Sequence, residues 1–192
     1  QVHENRRGSY SVVEKVGLLS GKGIGHRDGY VFVVTDQEGP EIFLPERCMR
    51  GLFNNDKVLV RVTKSKAGGT RLEGQVVEVV ERNTHRVVGC FSRNGGIALV
   101  VPDNKNMPQD IIIAASDTNG AKQDQYVLVE ITQQPTKRQS PKGKVIQILG
   151  DQSTPGIDID LSVYNHDIPY EFPEAVCEEV GSYSPEVQEQ DK

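Results

Sequence analysis

The feature that most constrains the fold is an internal duplication with an offset of about 69 residues. DKVLVRV at residues 56–62 aligns with QYVLVEI at residues 125–131, and GQVVEVV at 74–80 aligns with GKVIQIL at 143–149. The first pair places Val or Ile at every second position, which is the period of a half-buried β-strand. The duplication therefore predicts two copies of one small β domain in tandem.

Two further matches lie upstream of these runs, and each copy is predicted to begin with one more strand, starting at Gly21 or Gly89. The upstream matches pair EIFL at 41–44 with DIII at 110–113, and GYVFVV at 29–34 with GIALVV at 96–101. Five short strands separated by Gly, Pro, Asn and Asp suit a small barrel, which closes on itself and leaves no exposed sheet edge. The expected fold class is all-β, with two tandem five-stranded OB-fold barrels and an extended, acidic C-terminal tail.

The segments between and after the strands have less regular patterns, and their secondary structure is predicted from apolar spacing and from prolines. Residues 45–55 have the apolar spacing of a short helical plug between the third and fourth strands, and residues 114–124 are a looser equivalent. The second barrel is expected to end near Gly150. Residues 157–176 are predicted to be non-helical, because prolines interrupt this segment between residues 168 and 173.

The net charge of −5 conceals two different regions. Residues 1–150 contain 21 Lys and Arg against 16 Asp and Glu, whereas residues 151–192 contain one Lys against 11 acidic residues. A basic body suits a polyanionic partner, although a merely solvated surface fits equally well. The acidic and polar stretch 178–192 is predicted to be disordered in isolation.

The composition also argues against several classes of protein. No stretch approaches the roughly 20 apolar residues of a membrane span, so we expect no membrane partner and a cytoplasmic location. Cys48, Cys90 and Cys177 are far apart and the four histidines are scattered, so neither a disulfide framework nor a metal site is predicted. Because the chain begins with Gln1, we expect a fragment of a longer protein, and we expect it to be monomeric.

Three aromatic residues are the candidate nucleic-acid-binding side chains of the first barrel. Tyr30 and Phe32 are two residues apart on one predicted strand, and Phe43 lies in the next strand. Aromatic rings that share one barrel face can stack on unpaired bases. The open alternative is that the rings fill the barrel core. The flanking basic residues proposed for phosphate contacts are Lys22, His26, Arg27, Arg61, Lys64, Lys66 and Arg71.

The second barrel has Ile97, Leu99 and Ile112 at the positions of the three aromatic residues, so it is predicted to lack a stacking surface. The remaining indication of RNA binding in this barrel is a run of basic residues before and within the last strand. This run either guides an RNA backbone or is a solvated loop. This run consists of Lys137, Arg138, Lys142 and Lys144. The glycines of residues 21–25 lack the ending of a phosphate-binding loop and predict the start of a strand with a bulge.

The aromatic segments resemble the paired ribonucleoprotein motifs of cold-shock domains, so the two barrels are expected to be of the cold-shock type. This sequence departs from the usual motifs at Asp28, Val31 and Pro45, where Lys, Gly and His are common. The aromatic triplet itself is retained.

A wider resemblance, from about Asn5 to Val176, is to the RNase R branch of the RNase II family of exoribonucleases. The similar segments are IGHRDGY at 24–30, TQQPTKR at 132–138, KVIQILGD at 144–151, HDIPY at 166–170 and FPEAV at 172–176. The resemblance implies that residues 1–18 are the remnant of a winged-helix-like region and that residues 19–83 and 84–151 are the two cold-shock domains. Residues 152–192 would then be a linker and the start of the catalytic domain.

This family resemblance also implies a function. Its members are processive, hydrolytic 3′-to-5′ exoribonucleases in which clustered aspartates hold Mg²⁺. An aspartate cluster of that kind is absent from the sequence, so we assign no catalytic residue and expect the chain to bind single-stranded RNA without cleaving it. Two alternatives remain, namely a free-standing RNA-binding or RNA-chaperone module and a protein-interaction scaffold.

Overall fold

The computed structural model describes residues 2–4, 10–12, 17–37, 39–65, 72–166, 168 and 176. Most of these residues are in strands. In chain order the elements are β1 (Val2–Glu4), β2 (Tyr10–Val12), β3 (Leu18–Gly25), β4 (Val31–Thr35), β5 (Ile42–Leu44), α1 (Glu46–Met49), β6 (Lys57–Ser65), β7 (Leu72–Glu81), β8 (Arg86–Asn94), β9 (Ile97–Pro102), β10 (Ile111–Ile113), a 3₁₀ turn (Ala115–Asp117), β11 (Tyr126–Gln133), β12 (Lys142–Gly150) and α2 (Ile157–Asn165).

The first barrel is closed by five strands in the order β3-β4-β5-β7-β6, and β6 pairs with β3 to complete the ring. The pairings are antiparallel except for β5 with β7, which run parallel. The short helix α1 follows β5, as the apolar spacing predicted. The register pairs Ile24 with Phe32 and Phe32 with Phe43, so these three side chains lie side by side across three strands.

The second barrel repeats this arrangement with β10-β12-β11-β8-β9 as a closed ring. Its β10–β12 pair is parallel, like the β5–β7 pair of the first barrel. A glycine occupies the equivalent position in the first strand of each barrel, Gly21 in β3 and Gly89 in β8. A Cβ at Gly21 would collide with the carbonyl oxygen of Val34, and a Cβ at Gly89 would collide with that of Val101. The two barrels therefore share the close strand approach that only glycine permits, and the prediction of two five-stranded barrels is confirmed.

Each barrel has its own core of aliphatic side chains. In the first, Val33, Val58 and Val60 are completely buried, and in the second, Val127 and Val129 are completely buried. The alternation read from the sequence correctly identified four of these inward positions, Val58, Val60, Val127 and Val129.

Phe53 links the two cores. It belongs to the segment between α1 and β6 of the first barrel, yet its side chain packs with Val87, Phe91 and Val100 in the core of the second barrel. Only 3% of the Phe53 side chain is exposed. Burial of a whole aromatic ring across the boundary couples the two barrels into one packed unit.

Two predictions about local structure were wrong. Residues 157–165 form the helix α2, because the prolines that argued against a helix lie after its last residue. Ile157 and Leu161, four residues apart, pack against Val88 and Leu128 on the outside of the second barrel. The glycines of residues 21–25 lie within β3 and pair in regular register with β4, so the predicted bulge is absent from that pairing.

Several predicted segments lie outside the described residues. They include residues 5–9 of the winged-helix remnant and residues 177–192 of the acidic tail. The backbones of β1 and β2 on either side of residues 5–9 pair antiparallel, with Val2 opposite Val12. None of the described helices is long and apolar enough to cross a membrane.

Candidate nucleic-acid interface

The three predicted aromatic residues form one cluster on the outside of the first barrel. The ring centroids of Tyr30 and Phe32 are 5.3 Å apart, those of Tyr30 and Phe43 are 5.5 Å apart, and those of Phe32 and Phe43 are 6.0 Å apart. The rings are tilted or edge-on to one another, which is a favourable arrangement for aromatic pairs. We call these three residues the aromatic platform.

The platform points away from the core. All three rings are half-buried, whereas the alternating neighbours Val31 and Val33 are 2% and 0% exposed and fill the barrel interior. The alternative that the aromatic residues form the core is therefore wrong. The rings keep part of their surface available for a ligand.

His26 extends the platform. Its ring lies parallel to that of Tyr30, with centroids 4.3 Å apart and an angle of 8° between the ring planes. A tight turn places the two rings together, since the backbone N–H of His26 donates a 2.8 Å hydrogen bond to the carbonyl of Tyr30. Gly29 occupies this turn with a φ of 86°, a conformation that favours glycine. His26 is thus better placed to support Tyr30 than to act as an isolated phosphate contact.

Asp28 lies at the edge of the platform, where cold-shock motifs usually have Lys. Its carboxylate is 3.4 Å from Nδ1 of His26 and 3.7 Å from Nε of Arg27. Arg27 is 75% exposed, so its guanidinium can still reach a phosphate. The negative charge of Asp28 weakens the positive field at this edge.

The other predicted basic residues of the first barrel are more dispersed. Lys22 is exposed on β3, opposite Val34, and Arg61 is exposed on β6, opposite Gln75. The backbone of Lys64 belongs to β6, but its side chain, like the whole of Lys66 and Arg71, lies outside the described residues.

On the equivalent face of the second barrel, aliphatic side chains take the places of the aromatic rings. The register pairs Ser92 with Leu99, Leu99 with Ile112 and Ile112 with Lys142, and we call these four residues the open row. Leu99 and Ile112 occupy the places of Phe32 and Phe43, while Lys142 takes the place of Glu73, which is opposite Phe43. Ile97 is 57% exposed nearby. The second barrel therefore has no aromatic ring at the positions that correspond to Phe32 and Phe43.

The three remaining basic residues of the predicted run in the second barrel differ in their surroundings. Lys144 is 2.6 Å from Glu130 in the neighbouring strand, and this ion pair lowers the pKa of Glu130 below its usual range. Lys137 and Arg138 are exposed in the loop between β11 and β12. Because Lys144 is already paired, Lys137 and Arg138 are the better candidates for a ligand.

Lys137 and Arg138 lie beside two arginines that the sequence analysis did not select. Two adjoining openings of about 510 and 500 Å³ share Arg50 and Lys137 in their walls. Arg47 lines the first opening and Arg138 the second. We call the combined space the junction groove. Arg47 and Arg50 are three residues apart in the helical segment, and that spacing was the available signal.

The clustered aspartates that the family resemblance implies for Mg²⁺ have no counterpart among the described residues. No group of three His, Cys, Asp or Glu side chains converges closely enough to hold a metal ion among these residues. Asp158 and Asp160 are exposed on α2. We therefore derive no catalytic step from this part of the molecule.

Comparison with known proteins gives the family. The Ribonuclease B OB domain model matches residues 21–79, and the Cold shock domain model matches residues 99–173. Ribonuclease R of Acidithiobacillus ferrooxidans is 34% identical over 191 residues, which is 98% of this chain and 43% of the relative. The chain is a homologue of part of ribonuclease R. Ribonuclease R of Thermotoga maritima is 38% identical over 168 residues, which is 86% of this chain and 23% of that relative.

The chain thus spans less than half the length of these ribonuclease R relatives. The same fold occurs in the solved structure of Mycoplasma genitalium RNase R in complex with ribose methylated single-stranded RNA, with a TM-score of 0.74. That match has 19% sequence identity and covers 91% of this chain and 28% of the other chain. At this identity the structural match supports the shared architecture of the two barrels.

Proposed function

We propose that this chain binds single-stranded RNA as the substrate-recognition part of a processive, hydrolytic 3′-to-5′ exoribonuclease. The observation that carries the proposal is the aromatic platform, three half-buried rings that face outward from a barrel of the ribonuclease R type. We further propose that the protein acts in the cytoplasm as a monomer.

The platform suits unpaired bases for a physical reason. Every base has a π-face, so stacking on Tyr30, Phe32 and Phe43 tolerates any sequence. In a duplex the bases are stacked on each other, and the rings would have no access to their faces. Exposed Lys22 and Arg27 can hold the adjoining phosphates. Homology to ribonuclease R, and the single-stranded RNA bound to the Mycoplasma protein, support RNA as the ligand.

The platform can be tested by replacing its rings. Tyr30→Ala, Phe32→Ala and Phe43→Ala should each weaken binding of a labelled single-stranded RNA by about 1 to 3 kcal/mol, measured by fluorescence anisotropy. Val80→Ala is the matched control, because Val80 is an apolar side chain 50% exposed on β7 and outside the platform. Wild-type affinity in all three folded ring variants would contradict the proposal.

We also propose that the chain binds RNA without hydrolysing it. Metal-assisted hydrolysis needs carboxylates that converge on Mg²⁺, and the described residues contain no such group. The test is a time course with RNA labelled at its 5′ end in Mg²⁺ buffer, with and without a chelator. RNA of constant length supports the proposal, whereas magnesium-dependent shortening by the purified chain would contradict it.

A protein-interaction scaffold is the alternative class. It would show no affinity for RNA at any salt concentration. RNA binding that weakens as salt rises would instead indicate phosphate contacts.

A further inference from the structure

The second barrel holds the helix α2 on its outer surface. Ile157, Leu161 and Tyr164 follow one another at i, i+4 and i+7, so they lie on one side of the helix, and all three pack against the barrel. The hydroxyl of Tyr164 also donates a 3.2 Å hydrogen bond to Oε1 of Gln147. A helix of nine residues is marginal in water on its own, so the barrel stabilises it. We call the surface beneath this helix the α2 seat, and it consists of Val88, Leu128, Ile146 and Leu149.

The first barrel repeats the strands of the α2 seat in the same register. Leu59 is opposite Glu78 in the β6–β7 pair, as Leu128 is opposite Gln147 in the β11–β12 pair. Both pairs also have their register shifts at corresponding places, the first just after Lys57 in one barrel and just after Tyr126 in the other. The two outer surfaces therefore have the same backbone geometry. The residues of the first barrel that correspond to the α2 seat are Ser20, Leu59, Val77 and Val80.

The part of this surface that β7 contributes is open. Val77 is 42% exposed and Val80 is 50% exposed, whereas their counterparts beneath α2 are half-buried. Leu59, by contrast, is buried and packs with Leu18. We call the surface of Leu59, Val77 and Val80 the β7 seat. It is an apolar surface with the backbone geometry of one that already holds a helix.

The connection after β7 is too short to supply a helix. Only residues 82–85 lie between β7 and β8. Hydrogen bonds hold this connection against the first barrel, since Nδ2 of Asn83 donates to the carbonyl of Asn55 at 2.8 Å and the hydroxyl of Thr84 donates to the carbonyl of Asn54 at 3.0 Å. After β12, by contrast, the chain turns through residues 151–156 and forms α2 over the barrel. Among the described residues, the chain that follows β7 therefore provides no cover for the β7 seat.

The charged residues beside the β7 seat indicate which helix would fit it. Glu78 takes the place of Gln147, which is the acceptor for Tyr164, and Glu81 takes the place of Gly150. Both glutamates are exposed. A helix that lay here as α2 lies on the second barrel would meet Glu78 with its residue i+7, where a Lys or Arg can donate a charge-assisted hydrogen bond. The same carboxylates repel phosphate, so the seat does not suit a nucleic acid.

We propose that the β7 seat binds an amphipathic helix of another protein, with apolar side chains at i and i+4 and a Lys or Arg at i+7. Helices that dock on apolar surfaces commonly use this spacing of anchors. The seat lies on β6 and β7, whereas the aromatic platform is carried by β4, β5 and the turn before β4. Helix and RNA can therefore occupy one chain together, and the inference does not depend on RNA binding.

The probe for the test is a fluorescent, helix-stabilised peptide with the sequence of residues 155–166, in which Tyr164→Arg supplies the cation at i+7. A second peptide carries Tyr164→Glu instead. Fluorescence anisotropy with the whole chain measures the affinity of each peptide, and changes in backbone amide chemical shifts locate the contact. Amides of β6 and β7 should shift, and those of β11 and β12 should not.

Two pairs of exposed valines give the seat variant and its matched control. The seat variant is Val77→Ser with Val80→Ser. The control is Val34→Ser with Val101→Ser, because these valines are 41% and 44% exposed on β4 and β9, close to the exposure of the seat valines. A third variant, Glu78→Arg, reverses the charge beside the seat.

The seat variant should bind the Tyr164→Arg peptide about tenfold more weakly than the wild type, since it removes most of the apolar contact with the helix. The control should remain near wild type. The wild-type chain should prefer the Tyr164→Arg peptide to the Tyr164→Glu peptide by about threefold to tenfold, because an attractive pair with Glu78 is replaced by a repulsive one. The Glu78→Arg variant should reverse that preference. Single-stranded RNA should not displace either peptide.

Four results would overturn the inference. The first is the absence of saturable binding of the Tyr164→Arg peptide to the wild-type chain, and the second is an equal loss of affinity in the seat variant and the control. The third is displacement of the peptide by single-stranded RNA, which would make the surface part of the nucleic-acid interface. The fourth is self-association of the wild type that the seat variant lacks, measured by analytical ultracentrifugation, which would show that a second copy of this chain covers the seat.

Discussion

The carboxylate of Asp56 and the guanidinium of Arg82 form a 2.8 Å ion pair at the boundary between the two barrels. Asp56 is completely buried, and it also accepts hydrogen bonds from the backbone N–H groups of Phe53 at 2.8 Å and Asn83 at 3.3 Å. The guanidinium of Arg82 additionally reaches the carbonyl of Pro135 in the second barrel. This pair therefore joins the segment that carries Phe53 to the loop that carries Lys137 and Arg138.

We expect Asp56→Ala to lower the free energy of unfolding by about 3 to 5 kcal/mol, because it leaves the charge of Arg82 without its partner. Two backbone N–H groups would lose their acceptor as well. The measurement is urea denaturation followed by circular dichroism. Glu81→Ala, at an exposed position on β7, should change stability by less than about 0.5 kcal/mol. Equal stability of the two variants would contradict this role of Asp56.

Asp56 should also contribute a distinct pH dependence. Burial raises the pKa of its carboxyl above the ordinary value of about 3.9, and the hydrogen bonds from Phe53 and Asn83 together with the charge of Arg82 only partly oppose this. The folded state thus binds the proton more tightly than the unfolded chain. The contribution of Asp56 to stability is therefore largest below the unfolded-state pKa and falls as the pH rises through the folded-state pKa.

Asp56→Asn removes the titrating group, so the difference in unfolding free energy between wild type and variant isolates this effect. The stability of the wild type relative to the variant should decrease from about pH 4 upward and then level off above the folded-state pKa. Urea denaturation at a series of pH values measures the difference. A difference that increases with pH would show that the pKa of Asp56 is lowered in the fold.

Phe53 provides a test of the coupling between the barrels. Phe53→Ala should lower the free energy of unfolding by about 3 to 5 kcal/mol. Amides of the second barrel should lose protection from hydrogen exchange, because the core of that barrel contains Phe53 together with Phe91 and Val100. Hydrogen exchange of the β8 and β11 amides measures it. Phe43→Ala is the control, because its ring is half-buried on the outer surface and should leave those amides protected. Loss of protection confined to the first barrel would contradict the coupling.

The duplicated pattern was sufficient to predict the barrels, because inward residues recur at every second position. Val58 and Val60 in one copy and Val127 and Val129 in the other are all completely buried. The same alternation placed Tyr30 and Phe32 on one face but could not say whether that face pointed inward. Their neighbour Val33, with 0% exposure, resolves the question.

Contacts between the copies could not be predicted from local patterns. Phe53 follows the helical segment of the first barrel, and nothing in its neighbours indicates that it packs in the second. Arg50 likewise becomes part of a groove only when the β11–β12 loop folds over Gly51. The helix α2 was missed because Pro169 and Pro173 were taken to exclude helix from the whole segment, although α2 ends at Asn165.

The equivalence of the two barrels identifies the positions at which one has aromatic and the other has aliphatic side chains. Leu99 is opposite Ile112 in the second barrel as Phe32 is opposite Phe43 in the first. Both aliphatic residues are half-buried on the outer face and line the junction groove. Aromatic rings at these positions would thus face the junction groove.

We therefore expect Leu99→Phe with Ile112→Phe to strengthen binding of single-stranded RNA by about 1 to 3 kcal/mol for each base that stacks on a new ring. Affinity for an abasic phosphodiester oligomer of equal length, with tetrahydrofuran in place of each nucleoside, should not increase, because that ligand has no base to stack. Fluorescence anisotropy with both ligands measures the difference. The control is Val80→Phe, which adds a ring at an exposed position on β7 outside both the platform and the open row. An equal gain for the control, or a gain that also appears with the abasic oligomer, would show that added apolar surface rather than stacking at the open row strengthens binding.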